Sequence, residues 1–290
     1  MSRLWPRYLH QKDVAENWLN LARRIEIINC LVEGNSIRST ELMTDTHRDT
    51  VMRLMVEVGG GCKTLLDTEM RDLTCRPIQV DEIWAYVGKK QKQLVPTDDR
   101  TQVGDQWTFV AIDSESKLIP VHRVGKRDLP TATAFLTDLS ERLVNRVQLS
   151  SDGLAAYVDA TERAFGADVD YGQAVKIYDA EPAGSGRYSP PEVVRSERTA
   201  IAGNPDVDHI STRLVKRQNL TMLMSMHRFT RLTNGFAKKV ANHRAAVELH
   251  FAHYNFVRLH STIQCTPAMA AGVSRHLWSM EELVERTTAA

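Results

Sequence analysis

The chain has 290 residues, 42% of them hydrophobic and 25% charged, with a formal net charge of +1. This composition excludes a short peptide, a fibre and a disordered chain, and no apolar run reaches the roughly 18 residues of a membrane span. Four scattered cysteines without a CxxC pair exclude a zinc ribbon or a disulfide framework, and the opening MSRLWPRYLHQK lacks a signal-peptide core, so a cytoplasmic protein is expected.

Residues 24–57 carry three short apolar-periodic stretches: Ile27, Ile28 and Leu31; then, after Gly34, Ile37, Leu42 and Met43; then Val51, Leu54 and Met55 behind Thr46 as N-cap. Three short helices with tight turns predict a helix-turn-helix over residues 1–58. Its third helix would offer His47, Arg48, Thr50 and Arg53 to the major groove of double-stranded DNA. Gly59, Gly60 and Gly61 are expected to end that helix and open a joint over 59–76.

After Pro77 the period changes. IQVDEIWAYVG, WTFVAID and KLIPVHRV alternate like strands, the last two joined by the polar turn SES. A helix entered at Pro130, a strand VQLSSDG, a helix LAAYVDATERAF and a strand VDYGQAVKIY follow. This mixed α/β order is that of the ribonuclease H-like fold, predicted over 77–260 with flanking helices. Residues 179–208, rich in Gly, Pro and acids, read as a surface insertion. Helical spacing returns from Thr212, and 261–290 form a C-terminal tail.

Charge is uneven along the chain. From His209 to His260 nine Lys or Arg face one acid, Glu248, so the stretch is +8 and the rest −7; six of the ten histidines lie there too and would add charge if their pKa values rose. A polyanion would be drawn to this end.

Strand-transfer chemistry on phosphodiesters needs carboxylates gathered by the fold, because Mg²⁺ and Mn²⁺ prefer oxygen ligands. Asp81 lies inside the first strand, where an unpaired charge is costly. Asp152 ends the fourth, which neighbours the first in this topology, so the two would share a metal site.

The segments QVDEIW, VQLSSDG, GNPDVDHISTRLVKRQNLTMLMSMHRFTRLTN and YNFVRLHSTIQCTPAMAAG resemble, in order and over most of residues 24–283, the DDE transposases of the insertion-sequence-one family. The resemblance implies a ribonuclease H-like core behind a helix-turn-helix. It also implies two Mg²⁺ ions and a bacterial protein that cuts and joins the ends of a mobile element. Asp81 and Asp152 match the family's first two catalytic acids. His209, Ser211, Arg217 and Asn219 match the run around the third, but Lys216 stands at the Glu position. A lysine donates and repels cations, so one metal position is expected to be impaired. Asp206 or Asp208 would be the nearby substitutes. Phosphate contacts are expected from Arg217, Asn219, Arg228 and Arg231, from Lys238 and Lys239, and from Arg258 with His260. The partners implied are terminal repeats and target DNA, with at least a dimer of this chain to hold two ends. The alternative reading is a catalytically dead DNA-binding protein that occupies element ends and represses transposition.

Overall fold

The computed structural model describes residues 19–178, 193–230 and 234–288. Helix α1 (Leu21–Val32) starts where the Asn20 side chain accepts from the Arg23 N–H at 2.9 Å. Helix α2 (Ile37–Thr44) is capped by Ser36 and ends on Asp45 in the left-handed region. Helix α3 (Arg48–Glu69) follows a short turn. Its N-cap is His47, not Thr46, whose hydroxyl donates instead to the Thr44 carbonyl at 3.1 Å. Leu42 and Met43 of α2 face solvent, 76% and 59% exposed.

The expected helix end at 59–61 is corrected: α3 runs on through all three glycines to Glu69. The physical reason lies in what touches them. A Cβ on Gly59 would collide with the Ala245 carbonyl of α7 (Val240–Ala252), and one on Gly61 with the Thr287 carbonyl of α9 (Met280–Thr288). The glycines let two helices approach the α3 backbone, a use that local sequence cannot distinguish from a stop. The C-terminal segment is correspondingly no loose tail, since Leu283 and Val284 of α9 are fully buried.

Six strands form one mixed sheet: β1 (Pro77–Val87), β2 (Gly104–Asp113), β3 (His122–Gly125), β4 (Val147–Ser151), β5 (Val169–Tyr178) and β6 (Val193–Ala202). Their order is β3-β2-β1-β4-β5-β6. β1 is antiparallel to β2 along its length and parallel to β4, β4 is parallel to β5, and β5 is antiparallel to β6. Helices α4 (Leu129–Ser140) and α5 (Ala155–Phe165) make the crossovers. The predicted insertion is corrected in part, because residues 193–202 of it are strand β6; residues 179–192 lie outside the described ones. That strand was not legible because residues 195–200 are exposed and carry no buried apolar face.

Helix α6 (Arg213–Ser225) lies against β1, and α7 continues into a π-helical turn, His253–Val257, before the short α8 (Pro267–Ala270). Buried Asn255 in that turn accepts from the Ile119 N–H and donates to the Ile119 carbonyl, both at 3.0 Å, tying the turn to the β2–β3 connection. One apolar core is continuous from Ile27 and Ile28 in α1, through β1, to Val284 in α9. Among the described residues no helix is long and apolar enough to cross a membrane.

Candidate functional site

The parallel ladder pairs Ile78 with Leu149 and Gln79 with Ser150. Two residues on, that register sets Asp81 beside Asp152, just past the end of the shorter strand. Carboxylate oxygens of Asp81, Glu82 and Asp152 all lie within 4.8 Å of one another. Asp81 is 6% and Glu82 8% exposed, and Asp152 is half-buried.

Glu82 was missed in the sequence because successive strand residues point to opposite faces. Its environment obeys that rule. Gln79 and Asp81 face α6, whereas Glu82 faces α5, where the Tyr157 hydroxyl donates to its Oε2 at 3.0 Å and Arg127 to its Oε1 at 2.7 Å. Asp152, past the end of its strand, reaches both sides. The available signal was two adjacent acids in a strand buried on both faces, where each charge demands a partner.

Helix α6 is positioned by β1. No side chain of Thr212 caps it; Gln79 Oε1 accepts from the Leu214 N–H at 2.8 Å and the Val215 N–H at 3.3 Å. Lys216 and Asn219, three residues apart and so on one helical face, then meet Asp81. Asn219 Nδ2 donates to Oδ2 at 3.0 Å, and Lys216 Nζ stands 3.4 Å from each oxygen. Burial pushes the Asp81 carboxyl up; the Lys216 ammonium opposes this and the Asp152 charge adds to it. Burial also raises Glu82, reinforced by Asp152 and Asp81 and opposed by Arg127. Tyr157 is held well above its usual range by burial and the same acids, so it stays a neutral donor. Asp152 Oδ1 accepts from the Leu154 N–H at 3.0 Å at the start of α5.

The carboxylates suit a hard cation in kind. Two oxygens on opposite sides of Mg²⁺ stand roughly 4.2 Å apart, and mutual separations within 4.8 Å are compatible with one shared cation. Asp206 and Asp208, the considered substitutes, point elsewhere. Asp206 accepts the His209 ring at 2.8 Å and the Asp208 side chain is almost fully exposed.

The predicted DNA-contacting residues separate into two groups. His47, Arg48 and Arg53 are exposed at the start of α3, with Thr50 Oγ1 accepting from Arg53 at 3.2 Å. Arg217, Lys238, Lys239 and Arg258 are exposed as well. Asn219 is corrected: it is buried and engaged with Asp81. Arg228 is corrected too, since it points inward, donating to the Asn242 carbonyl at 3.3 Å and to Met55 Sδ at 3.1 Å. His260 is partly buried beside Thr262, and Arg231 lies outside the described residues. Three histidines of the basic stretch, His243, His250 and His253, move away from the charged form. Burial first, then neighbouring cations, lowers His243 and His250 to about 3 and His253 to about 4.

No protein-family profile matches the chain, and no curated protein does. Among solved structures it is similar to a Mos1 transposase paired-end complex with the left transposon end, at 15% identity and a TM-score of 0.21, covering 52% of this chain and 59% of that one. It is also similar to the Mos1 strand transfer complex, at 14% identity and a TM-score of 0.22, covering 83% and 80%. At these scores the superposition is slight.

Proposed function

We propose that this chain is a DNA transposase of the DDE type, with a ribonuclease H-like core and a bacterial insertion sequence as its origin, whose hydrolytic centre is held at low activity by Lys216. The observation that carries the reading is the ammonium of Lys216 within 3.4 Å of both Asp81 oxygens, at the position where the resembled family has a glutamate. The strand order, with the acid-bearing strands β1 and β4 adjacent, supports it.

In this reading Asp81 and Asp152 hold Mg²⁺ or Mn²⁺, which when bound supplies activation of the attacking oxygen and charge stabilisation at the leaving one. Glu82 contributes a third carboxylate from the other sheet face, oriented by Arg127 and Tyr157. Asn219 fixes the Asp81 rotamer. Lys216 neutralises Asp81 and occupies space that a cation would use. Exposed Arg217, Lys238, Lys239 and Arg258 draw in the phosphate backbone, His47, Arg48 and Arg53 read or grip a duplex, and at least two copies of the chain hold two element ends.

Lys216→Glu is expected to raise Mg²⁺- or Mn²⁺-dependent cleavage of element ends by roughly a hundredfold, the order of one lost charge-stabilising group in an active site, with DNA affinity little changed. Cleavage in the variant no faster than in the wild type would remove position 216 from the metal site. The second reading, a repressor that binds ends without cutting them, is favoured by the same Lys216–Asp81 ion pair. It requires that the wild type bind duplex DNA and leave it intact.

A further inference from the structure

A cavity of about 530 Å³ opens between α1–α3, the end of α6 and α7, away from the carboxylates. Its size falls within the roughly 300–1,000 Å³ of small-molecule sites. Arg228 lines it from below. Burial pulls that guanidinium down to about 10, and no acid contributes to its surroundings. Its hydrogen bonds go to a neutral carbonyl and a thioether rather than to an anion. His250, 5% exposed, lines the same cavity with an Nε2 that has no hydrogen-bond partner. Arg38 and Lys238 stand exposed on the rim. None of the described carboxylates lies within ion-pairing distance of Arg228, Arg38 or Lys238. A partly buried cation facing a cavity without a paired anion is a ready partner for an anionic ligand. The remaining wall is mixed: Ile37, Met52 and Phe236 form an apolar stretch, beside Asn35, Asn242 and Asp49, whose carboxylate is paired with Arg48 at 4.0 Å.

We infer that this cavity binds a phosphorylated ligand of nucleotide size, its phosphate on Arg228 with Arg38 and Lys238 and its apolar body against Ile37, Met52 and Phe236. Arginine matches phosphate through paired N–H donors, and His250 Nε2 supplies a further polar contact within reach of the cavity. The inference is independent of the carboxylate cluster, and it holds whether or not the chain cuts DNA.

Calorimetric titration of the full chain with thymidine monophosphate, orthophosphate and unphosphorylated thymidine tests it. The monophosphate is expected to bind more tightly than either of the others. Arg228→Met and Arg38→Ala should each weaken it roughly tenfold to a hundredfold, as for a lost charge-assisted hydrogen bond. Arg38 is exposed, so its variant keeps the test valid if Arg228→Met fails to fold. No binding of the monophosphate, equal binding of thymidine, or an Arg38→Ala affinity equal to wild type overturns the proposal. The phosphate source is resolved by competition: a fluorescent monophosphate displaced by duplex DNA assigns the site to the nucleic-acid backbone, and one retained alongside duplex assigns it to a free nucleotide.

Discussion

Asp81 has an amide on one oxygen and an ammonium against both, yet its carboxyl remains raised because burial outweighs them. A raised native pKa means the folded state holds the proton more tightly than the unfolded chain. The resulting stabilisation is complete below the ordinary value of 3.8 and is lost as pH rises through the native one. Urea titrations without divalent cations should therefore show the wild type losing stability relative to Asp81→Asn as pH is raised from about 4 towards neutrality; a pH-independent difference would contradict the assignment. His243 behaves oppositely. Both its ring nitrogens are buried without partners and its pKa is lowered to about 3, so stability present above the ordinary 6.5 is lost as pH falls towards 3. His243→Leu should be more stable than wild type by about 1 kcal/mol at neutral pH, through removal of unpaired polar atoms, and less acid-labile in thermal melts. Asp81 was legible as a carboxylate inside a strand, where its charge needs a reason, and Asp152 as an acid at the tip of the strand expected to lie beside it. Glu82 was hidden by the alternation rule, which assigns neighbouring residues to separate faces and overlooks a third group at a strand end that reaches both.

The helix α3 is the element where local and tertiary signals conflict most. Three interior glycines cost roughly 1 kcal/mol each against alanine, and two of them are required by the close approach of α7 and α9. Gly60 meets nothing within 4 Å. Gly60→Ala should accordingly raise stability by about 0.4–1 kcal/mol, whereas Gly59→Ala and Gly61→Ala should each lose about 1–3 kcal/mol through overpacking. Urea midpoints of the three variants decide this, and three equal effects would restore a flexible joint. The far end of α3 is secured by buried Arg142, which donates to the Leu66 carbonyl at 3.1 Å and pairs with Asp67 and Asp138 at 2.8 Å. The crossover helices were readable from period, since their apolar faces are buried as the pattern requires, and the central strands, buried on both faces, from their branched and aromatic runs between turn signals. Within YNFVRLHS, part of the motif is structural: the Tyr254 hydroxyl donates to the Lys117 carbonyl at 3.2 Å and Asn255 pins Ile119.

Across the whole molecule, the positive stretch between His209 and His260 is less uniform than its sequence suggests. Arg228 is half-buried and turned inward, while Arg213, Arg217, Lys238, Lys239, Arg244 and Arg258 are exposed. Six phosphate contacts correspond to a slope near −5 in log affinity against log salt, a loss of about 10³ between 50 and 200 mM. Fluorescence anisotropy with a duplex should follow that line, and a flat response would remove DNA as the partner. Sequence composition located this charge but not its orientation, because only packing decides which cations turn inward.

The unbroken course of α3 has a mechanical consequence. At about 1.5 Å per residue its 22 residues form a rod of roughly 33 Å, with His47 at one tip and the Arg142 anchorage at the other. A displacement at the His47 tip is therefore carried along one continuous helix, and into the α7 and α9 backbones packed on it, with no joint at 59–61 to absorb it.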